Sequence, residues 1–157
     1  MSMSTIHLIR HAKAKNRLTW EEPDHLRPLT KRGRREALAI AARLGEEPVV
    51  RLVSSPFVRC LQTLEPLALA LELPIETTDE LAEGAGGEPA VELLLGLAAK
   101  GPVACCTHGD VVFEIVDLVG RSVSLDGPAE APVASSWVLD VEDGRFVGAR
   151  FVDQPPR

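Results

Sequence analysis

Short β-rich runs alternate with helical stretches along the whole chain, and that alternation limits its possible folds more than any other feature. Such a pattern leads to a mostly parallel sheet with helices on its faces, because each parallel crossover needs a helix to return. Residues 5–9 (TIHLI) read as a first strand. Thr30 is placed to cap a helix running to Leu44, with Gly45 as its stop. Residues 49–53 form a second strand, and Ser54-Ser55-Pro56 introduces a helix through about Leu73. Residues 75–77 give a brief third strand, and Pro89 suits the first turn of a helix ending near Lys100-Gly101. Residues 103–106 are a fourth strand, followed by a helix from about Asp110 to Val119. Residues 136–141 and 146–152 flank Glu142-Asp143-Gly144-Arg145, a hairpin signal. The expected fold is three-layer α/β/α, with a mostly parallel central sheet and a C-terminal β-hairpin. With 157 residues, one domain over 1–157 is expected, since that length buries one good core and is too short for two.

Composition narrows the function classes. Hydrophobic residues at 45% and charged residues at 25% describe a globular chain. The apolar run 90–99 is interrupted by Glu92 and is far shorter than the ~20 residues of a membrane span. Met1-Ser2-Met3-Ser4 has no basic segment followed by an apolar one, so no secretion signal is expected. Cys105 and Cys106 are adjacent and Cys60 stands alone, which is not a disulfide framework. A cytoplasmic location with no membrane partner is the expectation. The net charge of −6 argues against nucleic acid as a partner. Arg27, Lys31, Arg32, Arg34 and Arg35 make one basic stretch, either a solvated helix start or an attractor for an anionic substrate.

Ligands of open α/β sheets bind at the carboxyl ends of the strands. Arg10-His11 follow the first strand, Ser54-Ser55-Pro56 and Arg59 the second, and Thr107-His108-Gly109 the fourth. Arg10, Arg59, His11 and His108 therefore converge on one sheet edge, near helix N-termini that favour anions. A phosphoryl group suits this set, offering several oxygens to arginine forks and imidazolium donors. His7 lies inside the first strand and reads as structural, and His25 reads as a surface residue. Trp20 and Trp137 are candidates either for the pocket wall or for an edge or core role.

Leu8-Ile9-Arg10-His11-Ala12-Lys13-Ala14 resembles the signature of the histidine phosphatase superfamily, also called phosphoglycerate mutase-like. Pro28-Leu29-Thr30-Lys31-Arg32-Gly33 follows in the family's order. So do Ser54-Ser55-Pro56-Phe57-Val58-Arg59-Cys60 with Gln62-Thr63, and then Thr107-His108-Gly109-Asp110. The likeness spans roughly the first three quarters of the chain, and four ordered motifs make it specific. Within the superfamily it resembles the small SixA-like phosphohistidine phosphatases and the phosphatase domain attached to some bacterial Nudix hydrolases. Ala12 stands where the commonest family pattern has glycine.

The resemblance implies a two-step reaction without metal or other cofactor. His11 is the implied nucleophile, Arg10 and Arg59 hold phosphoryl oxygens, and His108 stabilises the charge spreading over them. A carboxyl group protonates the leaving oxygen and then activates water. Glu83 fits the family's acid position best, with Glu80 as runner-up. The implied substrate is phosphohistidine on a partner protein or a small phosphorylated metabolite, and few inserted loops predict an open, shallow pocket. Rival readings have less behind them. A cysteine-based phosphatase needs an arginine six positions after its nucleophile, where Cys60 and Cys106 have Pro66 and Val112. Asp140-Val141-Glu142 runs straight into the hairpin turn, and Cys105, Cys106 and His108 lack partners for a zinc site. A non-catalytic phosphate-binding or regulatory module of the same fold is the remaining alternative.

Overall fold

The expected alternation runs through the computed structural model, which describes residues 3–156. In chain order the elements are β1 (Met3–Arg10), α1 (Lys31–Leu44), β2 (Arg51–Ser54), α2 (Val58–Leu71), β3 (Ile75–Thr77), α3 (Gly87–Ala98), β4 (Val103–Thr107), α4 (Gly109–Val119), β5 (Ser136–Glu142) and β6 (Arg145–Val152). Single turns of 3-10 helix occur at Asp24–Leu26 and Asp79–Leu81. The sheet order is β3-β2-β4-β1-β5-β6. The first four of these are mutually parallel, and β5 and β6 run antiparallel as the C-terminal hairpin. Asp143 (φ 50°) and Gly144 (φ 76°) turn that hairpin with positive φ, the conformation that an Asp-Gly pair favours.

Period-two side-chain alternation assigns each strand residue to a layer. Ile6 and Leu8 of β1, with Val103 and Cys105 of β4, pack against Leu94 of α3 and Ile115 of α4. Ile9, Ala104 and Cys106 face the other way, onto Ile40 and Leu44 of α1 and Leu64 and Leu67 of α2. Each large aliphatic side chain buried in this way contributes about 1.5–3 kcal/mol. The sheet is thus covered on both faces, which explains why β4 reads as a continuous apolar run. Trp137 is 1% exposed and belongs to the core, 5.5 Å from the Phe151 ring. His7 is buried within β1, in agreement with its structural reading.

Two of the boundaries that differ from the sequence expectation have a visible local cause. The second strand begins at Arg51 rather than 49, because the Val49 amide turns back onto the Glu47 carbonyl. The second helix ends at Leu71, where Glu72 adopts a left-handed φ of 54° and closes it. No helix among the described residues is long and apolar enough to cross a membrane.

The start of α1 locks the chain that follows β1. Thr30 Oγ1 accepts the Gly33 amide proton at 3.0 Å, and Glu36 Oε1 accepts the Lys13 amide proton at 2.9 Å. Ala37, Ile40, Ala41 and Leu44 form the buried face, so this first turn is drawn tightly inward. A Cβ at Gly33 would lie 2.1 Å from the Lys13 carbonyl oxygen, a backbone atom with little freedom to retreat. Gly33→Ala is therefore expected to cost about 1–3 kcal/mol, the usual penalty of overpacking, read as a lower Tm in thermal unfolding. An unchanged Tm would mean that the contact is not held rigidly.

Candidate active site

Strand register creates the site. Arg10 pairs with Thr107 across β1 and β4, and Ser54 pairs with Cys106 across β2 and β4. The His11 amide then bonds the Thr107 carbonyl at 3.0 Å, and the Ser55 amide bonds the Cys106 carbonyl at 3.0 Å. Three strand ends are consequently level, and Arg10, His11, Ser55 and His108 emerge side by side. Arg59 arrives from the first turn of α2.

His11 is 8% exposed, and its Nδ1 lies 2.8 Å from the Ala12 carbonyl oxygen. A carbonyl only accepts, so Nδ1 carries the proton and Nε2 keeps its lone pair. Thr63 Oγ1 accepts the Ala12 amide proton at 2.9 Å and donates to the Arg59 carbonyl, tying residue 12 to α2 through its amide. Burial pushes the His11 imidazole down to about 3; the Ala12 bond opposes this, and the charges of His108, Arg59 and Arg10 add to it. The ring is a neutral base at ordinary pH.

Around it stand buried donors. The His108 ring centroid is 5.5 Å from that of His11. Its Nε2 lies 2.8 Å from Ser55 Oγ and 3.6 Å from Cys60 Sγ. Ser55 Oγ also accepts the Phe57 amide proton at 3.2 Å, and its hydroxyl proton is available to His108 Nε2 in the tautomer that makes Nδ1 the donor. Arg10 Nη1 donates to the Ala131 carbonyl at 2.6 Å, and its guanidinium packs over Gly109. Arg59 has no exposed surface; its Nη1 and Nη2 donate to the carbonyl and the carboxylate of Asp24. His108 Nδ1, Arg10 Nε and Arg59 Nε are buried and have no hydrogen-bond partner among the described residues. Buried polar atoms are normally paired, so unpaired nitrogens on three residues whose charges act on the His11 ring describe a candidate anion cradle.

Glu83 sits on the rim of the cradle. Its Oε1 accepts from Arg17 at 2.7 Å and lies 3.5 Å from Arg59 Nη2. The Thr107 hydroxyl holds the preceding turn through the Leu81 carbonyl, and Asp110 Oδ2 accepts the Gly84 amide proton at 2.8 Å. Glu80, the runner-up, is an exposed residue of the Asp79–Leu81 turn and does not line the cleft. The cleft over His11 measures about 1120 Å³. Of the basic stretch 27–35, Arg27 alone lines it. Trp20 does not line the main cleft; its Nε1 donates to the Pro23 carbonyl at 3.1 Å.

Sequence reasoning missed Asp24, Arg17, Asp110 and the loop before β5. Asp24 accepts from Arg27 at 2.9 Å and from Arg59 at 3.1 Å. Burial works to raise its carboxyl, but the Arg27 bond and the Arg59 charge outweigh it and hold the group below its usual value. The three-residue Asp24–Arg27 spacing was its one local signal. Ala134, with φ 63°, donates to both the Arg10 and His11 carbonyls, and alanine carries no local sign of that role.

The protonation state of His11 is directly measurable. The unfolded chain takes a proton at this ring below about pH 6.5, whereas the folded chain refuses it until about 3. Acid therefore weakens the fold within that window, and the contribution is fully present above it. The His11 ring resonances in NMR spectra, assigned by loss in His11→Gln, are expected not to titrate between pH 5 and 8. A midpoint near 6.5 would contradict the buried, neutral assignment.

Comparison with known proteins agrees with this geometry. Residues 6–90 match the sequence model of the histidine phosphatase superfamily (branch 1). The 8-oxo-(d)GTP phosphatase of Mycolicibacterium smegmatis (strain ATCC 700084 / mc(2)155) is 33% identical over 156 residues, covering 96% of this chain and 48% of that protein. The chain thus spans about half the length of this curated relative. The protein histidine phosphatase SixA, solved with tungstate, superposes with a TM-score of 0.76 at 24% identity, covering 96% of this chain and 95% of that one, a likeness of fold. A protein assigned as the phosphohistidine phosphatase SixA from Agrobacterium tumefaciens gives 0.72 at 25% identity, covering 98% and 99%. Motifs, fold and relatives agree: the chain belongs to the histidine phosphatase superfamily.

Proposed function

We propose that the chain is a phosphatase that transfers a phosphoryl group to His11 Nε2 and then hydrolyses the phosphohistidine. The observation carrying this reading is the pairing of a clamped, neutral imidazole with orphan donors on Arg10, Arg59 and His108. In the first step Nε2 attacks phosphorus, a P–N bond forms, and the bond to the leaving group breaks with its electron pair. The donors stabilise charge on the equatorial oxygens, and being already oriented they need no reorganisation during the step. In the second step water attacks phosphorus, the P–N bond breaks, and orthophosphate leaves. Of the carboxylates that line the cleft, Glu83, 3.5 Å from Arg59 Nη2, is the one assigned to take the water's proton. Relatives are named both for a nucleotide substrate and for phosphohistidine, so both classes are open to this site.

Brief incubation with a labelled phosphodonor is expected to leave acid-labile, alkali-stable label on His11, and His11→Ala abolishes label and turnover. Label persisting in that variant would overturn the assignment. Gly109→Ala tests the cradle without touching a polar group. The added Cβ would lie 2.9 Å from Arg10 Cζ, the mobile end of a side chain, so the fold survives while the guanidinium is displaced. Turnover is expected to fall about a hundredfold, as when one oriented donor to a transition state is lost, at little change in Tm. Full activity in that variant would remove Arg10 from the cradle.

A further inference from the structure

Beyond His11 the chain continues as a row of cations. The backbone there is pinned by the Thr30 amide on the Lys13 carbonyl (2.9 Å), the Ala14–Leu29 bridge and the Lys15 amide on the Pro28 carbonyl (3.0 Å). In an extended segment alternate residues share a face. Ala12 and Ala14 are buried, whereas Lys13 and Lys15 are exposed and line the cleft with His11. At about 3.3 Å per residue the lysine backbones follow the nucleophile at roughly 6.6 and 13 Å.

These lysines stand apart from the other cations of the cleft. Arg17 is paired with Glu83, Arg27 with Asp24, and Arg10 with the Ala131 carbonyl. Neither Lys13 nor Lys15 has a carboxylate within ion-pair distance among the described residues; Lys15 Nζ lies 6.0 Å from the Trp20 ring. The same cleft is lined by Phe113, 46% exposed, and Glu114 of α4, and by Glu130 of the segment before β5. An aromatic face offers stacking to a flat ring, and carboxylates accept from ring N–H groups. A cleft of about 1120 Å³ accommodates a nucleotide and not merely a phosphoryl group.

We infer that the substrate is an organic diphosphate, with a nucleoside diphosphate as the class that supplies every matching group. The inference rests on the phosphatase reading above and names its substrate. The terminal phosphoryl occupies the cradle, the second phosphate lies along Lys13 and Lys15, and the base rests by Phe113 with its amino groups toward Glu114 and Glu130. His11 Nε2 bonds to the terminal phosphorus, and the bond from that phosphorus to the bridging oxygen breaks. The electron pair stays on that oxygen, and the nucleoside monophosphate leaves with the extra negative charge beside Lys13. Water then cleaves the P–N bond, its proton passes to Glu83, and orthophosphate is released. A phosphate monoester is a weakly basic leaving group that departs without a proton. No proton donor to the bridging oxygen is needed, so Glu83 is called on only in the water step.

The test compares kcat/KM for guanosine and adenosine diphosphates, their monophosphates, nitrophenyl phosphate and a phosphohistidine carrier protein. The diphosphates are expected to exceed the monophosphates by at least about tenfold, with a steeper loss as salt is raised. In Lys13→Ala/Lys15→Ala the ratio of diphosphate to nitrophenyl phosphate kcat/KM is expected to fall about tenfold or more, mainly through KM. Equal rates on mono- and diphosphates, a ratio unmoved in the double variant, or faster turnover of the carrier protein would each overturn the inference. The phosphatase reading would survive those outcomes, provided that label still forms on His11. Absence of label from every donor would overturn both.

Discussion

The parallel ladder between β1 and β4 sets the geometry on which everything else rests. It pairs Ile6 with Val103 and continues in step to Arg10 with Thr107, so two chain segments nearly a hundred residues apart end at the same height. A shift of one residue would exchange the faces of β1, sending Ile6 and Leu8 toward α1 and α2 and withdrawing His11 from His108. Because both faces are buried, the cost of such a shift is spread over the whole core. The placement of the two histidines is thus enforced by apolar packing that takes no part in the chemistry.

Charge is the second constraint. Arg59 is buried completely, and an isolated buried cation would be prohibitively costly. Asp24 supplies a carboxylate and a carbonyl to its outer nitrogens, and the Phe57 ring lies 5.0 Å from its Cζ. Two of the three guanidinium nitrogens are thereby committed to holding the group in place. Its Nε is buried and has no partner among the described residues. Holding this one guanidinium in place is a task that the polar segment around Asp24 performs.

Much of this was legible in the sequence where the cause is local. Thr30 caps α1 and Gly45 ends it, since capping and stopping depend on a few neighbouring residues. Arg10, His11 and His108 could be grouped because strand ends in a parallel sheet share an edge. Glu83 was reached through family resemblance, and only three-dimensional placement separates it from Glu80. Asp24 drew no reading of its own, because its bond to Arg59 joins residues 35 positions apart and leaves no periodic trace. The Ala131 carbonyl was equally hidden, since a main-chain acceptor can belong to any residue type.

That last point has a consequence at His11. The acceptor that selects its tautomer is the carbonyl of the very next residue, Ala12. In many sites an imidazole is oriented by a carboxylate, which a single base change can delete. Here the orienting group is part of the polypeptide itself and persists whatever residue occupies position 12. Drift in the surrounding sequence can therefore alter the rim and the reach of the cleft while the reactive nitrogen keeps its lone pair. A lineage built on this arrangement is free to diversify around the ring without disturbing its tautomer.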